Sequence, residues 1–177
     1  MTTLYVGCGI PGSGKSTWFR DSKENAKQYL KGDYELEIVS RDIIRFAKLQ
    51  EDENSQYFDR EKEVWKEYIE TIQKYINEGV DYIIADATQL TQKSRNKLLD
   101  SLNLDNVRIV PISFENLLET CLQRNELRRD DKLAYVPRSV IRRMNEQFEK
   151  PTFTEKYKYS AIIRVNEGGA TVDLSDE

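Results

Sequence analysis

A three-layer α/β fold, with a parallel sheet covered by helices on both faces, is predicted by three observations. Short apolar, β-prone runs alternate with segments of helical spacing along most of the chain. One of these runs, Val80 to Asp86, closes on an acid in the manner of a buried parallel strand. Between the first run and the first helical segment lies Gly9 to Ser16, GIPGSGKS, which fits G-x-x-x-x-G-K-[ST] at every fixed position.

Thr2 to Cys8 is the first strand, and the helix after the loop is expected from about Lys15 into the Lys23 to Lys31 segment, with a break near Asp21-Ser22. Gly32-Asp33 turns the chain into a second strand, Tyr34 to Ser40, and helical spacing resumes at Ile43. Asp42 therefore stands where a strand gives way to a helix. Glu51 to Gln56 reads as a loop. From about Asp59 to Glu78, Val64, Trp65, Tyr68, Ile69, Ile72 and Ile76 recur at helical steps, and Gly79 occupies the C-cap position. The aromatic residues there are expected in the core, not as base-stacking platforms.

Val80 to Asp86 is a third strand, which delivers a carboxylate to the C-terminal edge of the sheet. Thr91 caps a helix over Gln92 to Leu102, and Val107 to Ser113 is a fourth strand. A helix over Glu115 to Arg129 gathers Arg124, Arg128 and Arg129 toward its end, and Pro137 begins another that runs to Phe148. Tyr159 to Val165 is the last strand, and the acidic tail 166–177 is given no role. The core is expected from Leu4, Val6, Ile38, Val39, Ile83, Ile84, Ile109, Val110 and Ile162. One domain, residues 1–165, suits 177 residues, with an arginine-bearing helical lid at about 124–137.

The loop defines the chemistry. Its glycines let the backbone aim several N–H groups at a phosphate chain, Lys15 reaches the β- and γ-phosphates, and Ser16 offers its hydroxyl to Mg²⁺. The partial positive charge at the start of the following helix points to the same place. A P-loop NTPase sandwich follows, with ATP and Mg²⁺ as cofactors and Gly12, Ser13, Gly14, Lys15, Ser16, Thr17 and Arg124 as nucleotide-side residues.

Composition narrows the rest. Charged residues make up 33% and hydrophobic residues 38% of the chain, so a densely charged globular surface is expected. The net charge of −4 means that any nucleic-acid binding must use a local patch. His is absent, which removes the usual general base and leaves acid–base work to carboxylates. Two cysteines, Cys8 and Cys121, form no zinc spacing and no disulfide framework, and no apolar run approaches the roughly 20 residues needed to span a bilayer. With no signal peptide at MTTLYVGCGI, a cytoplasmic location is expected, and a homo-oligomer is compatible with the sequence.

Phosphoryl transfer requires a held donor, neutralised charge and an aligned acceptor. Asp42 is either the base that takes an acceptor's proton or the N-cap of the next helix. Asp86 is either a strand-end turn residue or a group that serves Mg²⁺ or orients an arginine. The arginines either close over the transferring phosphate or form a solvated face paired with Glu126, Asp130 and Asp131.

GSGKSTW at Gly12 to Trp18, Ser-Arg-Asp-x-x-Arg at Ser40 to Arg45, Asp86 after a strand, and Arg-Asn-x-x-Arg at Arg124 to Arg128 followed by Val136-Pro137 resemble the kinase domain of the bacteriophage polynucleotide kinases. The resemblance spans roughly residues 1–150. It implies that Lys15 and Ser16 bind ATP and Mg²⁺, and that Asp42 is the general base toward the 5′-hydroxyl of DNA or RNA. Arg45 would contact the acceptor's phosphate with Asp86 nearby to orient it, and Arg128 would steady the transferring phosphate. No Asp-x-Asp-x-Thr stretch occurs, so the phosphatase module that accompanies the phage kinases is not expected.

Overall fold

The computed structural model describes residues 1–29, 32–52, 54, 56, 58–131 and 134–176, with side chains omitted at 26–29. Six strands form one sheet: β1 (Thr2–Cys8), β2 (Leu36–Ser40), β3 (Tyr82–Asp86), β4 (Val107–Phe114), β5 (Ala161–Asn166) and β6 (Gly169–Leu174). Their order is β2-β3-β1-β4-β5-β6. Every pairing is parallel except the last, where β6 runs antiparallel to β5.

Among the described residues, six helices connect or flank these strands: α1 (Lys15–Tyr29), α2 (Arg41–Gln50), α3 (Glu61–Glu78), α4 (Gln92–Asp100), α5 (Leu118–Glu126) and α6 (Arg138–Gln147). The two sheet faces follow from strand alternation. Leu4, Val6, Ile83 and Ile109 face Tyr68 and Ile72 of α3 and Leu98 and Leu99 of α4 in one core. Ile84, Ile112 and Phe114 point the other way and pack on Phe19 of α1. The edge-to-face ring contacts of Phe19 with Trp18 and Phe114, at centroid separations of 5.9 and 5.3 Å, anchor α1 directly behind the loop. A third cluster joins Ile10 of the loop to Leu90, to Cys121 and Leu122 of α5 and to Ile141 of α6.

Local chemistry places the helix ends. Thr91 and Ser94 form a reciprocal capping box at the start of α4. Gly79 ends α3 with a left-handed φ of 75°.

Four expectations change. The cap of α2 is Ser40, whose hydroxyl accepts from the Ile43 N–H, so α2 starts at Arg41 and Asp42 lies inside its first turn. α1 runs unbroken through Asp21-Ser22, because apolar Trp18 and Phe19 hold its first turns against the sheet; the Leu30–Lys31 end of that segment lies outside the described residues. Ile38, expected in the core, is only partly buried because β2 is the sheet edge. The tail 166–177, expected to have no role, forms β6 from Gly169 to Leu174 and closes the other edge, with Glu177 outside the described residues.

The span 124–137 is helical only to Glu126. A turn follows at 127–130, and residues 132 and 133 lie outside the described residues. The Asn125 side chain pins the base of this excursion by donating to the Val136 carbonyl at 2.7 Å and accepting the Val136 N–H at 3.0 Å. Among the described residues no helix is long and apolar enough to cross a membrane. Cys8 and Cys121 are free and buried.

Candidate functional site

The C-terminal ends of β1, β3 and β2 lie side by side and deliver, in that order, the glycine loop, Asp86 and the Ser40–Asp42 corner. Such an edge is where open parallel sheets bind ligands. At the loop, Gly12 takes a φ of +80°, and a Cβ there would lie 2.4 Å from the Cys121 carbonyl oxygen. The close approach of loop to α5 thus requires glycine. On the outside, Asn116 donates to the Ser13 carbonyl at 2.6 Å. Arg124 extends from α5 along the loop, 3.4 Å from the Gly12 carbonyl and against Gly14.

Lys15 sits at the centre. Its ammonium donates to the carbonyls of Gly9 and Ile10 at 2.8 and 3.0 Å and to the Ser13 hydroxyl at 3.4 Å. Burial pulls its pKa down, while the charges of Asp86 and Asp42 hold it up. The Ser16 hydroxyl donates to Asp86 Oδ2 at 3.0 Å. Burial raises the pKa of Asp86, opposed by the charge of Lys15 and the Ser16 hydrogen bond. A P-loop hydroxyl in contact with a strand-end carboxylate is the donor set that Mg²⁺ uses when phosphates and waters complete its shell. Ser16 and Asp86 therefore fit such an ion. Thr17 is exposed at the start of α1.

The second half of the site is made of charged side chains. Asp42 is 64% exposed and ion-paired with Arg45, which is only 8% exposed. Glu61, at the start of α3, grips the same guanidinium through Arg45 Nε and, at 3.2 Å, Nη2. Glu61 also takes Nη2 of Arg41 at 2.9 Å, and the Arg41 guanidinium lies 5.2 Å from the Trp65 ring centroid. Burial raises the pKa of Glu61, yet the two arginines outweigh it and leave the carboxyl below the usual range.

Sequence reasoning placed Lys15, Ser16, Asp42 and Asp86 on one edge, and all four are there. Two pairings differ from expectation. Asp86 is joined to Ser16 and not to Arg45, because β3 lies next to β1 and its last residue falls against the loop. Arg45 is held by Asp42 and by Glu61, a residue that sequence reasoning missed. Arg128 is exposed in the turn after α5. Of the three arginines, Arg129 pairs with Glu126, a partner named in the solvated-face alternative, and Arg138 of α6 joins the same carboxylate. Asn116 and Gln89 also escaped notice, since a lone amide in a loop carries no spacing signal.

The architecture matches solved structures of several kinds. Kti12 of Chaetomium thermophilum in complex with ADP-AlF3 superposes with a TM-score of 0.71 at 16% identity, over 93% of this chain and 89% of that one. A chain of the Pnkp1/Rnl/Hen1 RNA repair complex gives 0.65 at 20% identity, over 99% of this chain and 50% of that one. A gluconokinase from Sinorhizobium meliloti 1021 gives 0.52 at 18% identity, over 93% of this chain and 82% of that one. At such identities the likeness carries the fold. Comparison with curated proteins gave no significant match. The profile of the AAA domain family, however, matches residues 4–151, nearly the whole span from β1 through α6, and the chain belongs to that family as a P-loop, kinase-like domain.

Proposed function

We propose that the protein is an ATP-dependent kinase that transfers the γ-phosphate to the 5′-hydroxyl end of a DNA or RNA strand. The observation that carries this reading is the placement of Asp42. It is an exposed carboxylate, fixed by Arg45, on the same sheet edge as Lys15, Ser16 and Asp86. In a chain without histidine, acid–base work falls to a carboxylate of this kind.

Residues 12–17 and Arg124 hold the nucleotide, and Ser16 with Asp86 would hold Mg²⁺, which would supply neutralisation of phosphate charge. Asp42 accepts the proton of the acceptor hydroxyl as its oxygen bonds to the γ-phosphorus and the bond to the β–γ bridging oxygen breaks. Lys15 offsets the charge that builds on the transferred group, and Arg128 approaches from the lid. We assign Arg45 to holding Asp42 and not to an acceptor phosphate, because both of its faces are taken by carboxylates. The exposed Arg128, Arg142 and Arg143 remain for the strand. Free, buried cysteines accord with a reducing, cytoplasmic setting.

Incubation with labelled ATP and 5′-hydroxyl DNA and RNA oligonucleotides tests this reading. Transfer of label to the 5′ end is expected, and a protein that binds ATP but labels no end sinks it. A second reading, a small-molecule kinase, is favoured by one observation: Arg41 and Arg45 are matched by Asp42 and Glu61, so the acceptor corner carries no surplus positive charge. Selective thermal stabilisation by one sugar or nucleoside, with none by oligonucleotides, would select it.

A further inference from the structure

We infer that Gln89 is a positioning residue that sets the distance between the phosphate loop and Asp86; the inference rests on the reading of this edge as a Mg²⁺-nucleotide site. Gln89 lies three residues beyond Asp86, in the segment that leads from β3 to α4. Its φ of +41° is left-handed, a conformation that a non-glycine residue keeps only where its surroundings enforce it. The enforcement comes from both ends of the residue.

The side-chain amide, 7% exposed, donates through Nε2 to the Gly7 carbonyl at 2.6 Å and to the Ala85 carbonyl at 3.2 Å. Gly7 stands two residues before the loop begins, and Ala85 immediately precedes Asp86. One NH₂ group therefore ties the root of the loop to the root of the carboxylate. Next to it, the Thr88 carbonyl accepts the N–H of Gly9, the first loop residue, at 2.9 Å. Behind it, the Gln89 carbonyl accepts Arg95 Nη1 at 3.0 Å.

Arg95 is wholly buried and is locked by Glu155, whose two carboxylate oxygens take Arg95 Nε and Nη2 at 3.1 and 2.6 Å, while Tyr159 donates to the same carboxylate at 2.7 Å. A buried pair of this kind is stable only with its geometry satisfied, and here a third donor of Arg95, on Nη1, is spent on Gln89. The chain Tyr159–Glu155–Arg95–Gln89 thus ends at β1 and β3, between the two elements that must hold one Mg²⁺ ion. The paired register of β1 and β3 ends at Val6 and Ala85, so the amide joins the two strands just beyond their last pair, where the loop and Asp86 begin.

The test is the gain in nucleotide affinity that Mg²⁺ produces, read by calorimetry with ATP in magnesium and in EDTA, well below the melting temperature. Gln89→Met removes both donors at similar volume. It is expected to cut the Mg²⁺-dependent gain about tenfold, in the range seen for groups that orient metal ligands, with little change in the affinity measured in EDTA. Gln89→Glu, which puts a carboxylate against two carbonyls, is expected to do the same. Gln89→Gly suits the left-handed backbone and removes the amide, so it carries the test if the other variants fail to fold. A lowered melting temperature with an intact Mg²⁺ gain would overturn the inference and leave Gln89 a structural residue. Wild-type protein that binds no nucleotide in either condition would overturn the nucleotide-site reading, and this inference with it.

Discussion

The two halves of the site are built from different materials. The donor half is made of backbone: loop glycines, carbonyls that hold the Lys15 ammonium, and strand ends that bring Asp86 to Ser16. The acceptor half is made of long charged side chains, where Asp42 stands because Arg45 holds it and Arg45 stands because Glu61 does. Backbone geometry is dictated by a short local pattern, whereas an ion-pair chain depends on a residue that folding brings from another helix. The donor half should therefore fail abruptly on single substitutions at its centre, and the acceptor half by degrees along its chain.

The largest effect should come from Lys15→Ala. It removes the ammonium held by the loop carbonyls, and turnover is expected to fall by roughly a hundredfold to a thousandfold, as when a preorganised charge donor is lost. Nucleotide affinity, read by calorimetry, should fall with it. Near-normal turnover would show that the donor half is not organised around this ammonium.

Asp42→Ala comes next. Transfer is expected to drop about a hundredfold, the contribution of a general base, while ATP affinity stays within about threefold of wild type. A variant that loses both would mean that the two halves are one unit and would break the comparison. Retained transfer would make Asp42 a surface partner of Arg45.

Glu61→Gln should be milder and is the test of the side-chain chain. The amide keeps the shape but gives up the charge that draws in Arg41 and Arg45, so Asp42 loses its fixed partner. A fall of about tenfold in kcat, with KM for ATP unchanged, is expected for a displaced base. Equal losses in kcat and in thermal stability would reduce Glu61 to a fold residue.

This contrast also explains what the sequence shows. GIPGSGKS, the strand-end Asp86 and the Asp-x-x-Arg spacing are local, so the donor half and the position of Asp42 are legible. The Arg45–Glu61 pairing is not, since sixteen residues separate its members and many acids in the intervening loop and α3 would serve as well by composition. Asp86 was legible as a strand-end carboxylate at the sheet edge, but its partner depended on strand order, which places β3 between β1 and β2 and so gives Asp86 to the loop. Ile38 reads as core by its own apolarity; only the sheet order reveals that β2 is an edge. The tail lacks apolar alternation strong enough to announce a strand, and β6 forms because β5 offers it an unpaired edge.

The smallest effect concerns that tail and extends the comparison to the support of the donor half. Glu167, in the turn between β5 and β6, accepts the Leu117 N–H at 2.7 Å and so caps α5, which has no side-chain cap of its own. α5 carries Arg124 along the loop, and its Cys121 carbonyl meets Gly12. Backbone N–H groups hold the Glu167 carboxyl below its usual pKa, so its stabilisation is present above the unfolded-state value and is lost as pH falls through the lower folded-state value. Glu167→Gln should lower the melting temperature near neutral pH by only a degree or so, because the group is exposed, and the difference from wild type should shrink as pH falls through that folded-state value. If ATP affinity falls while the melting temperature holds, the turn steadies Arg124 and not the fold, and the β5–β6 hairpin then belongs to the donor half.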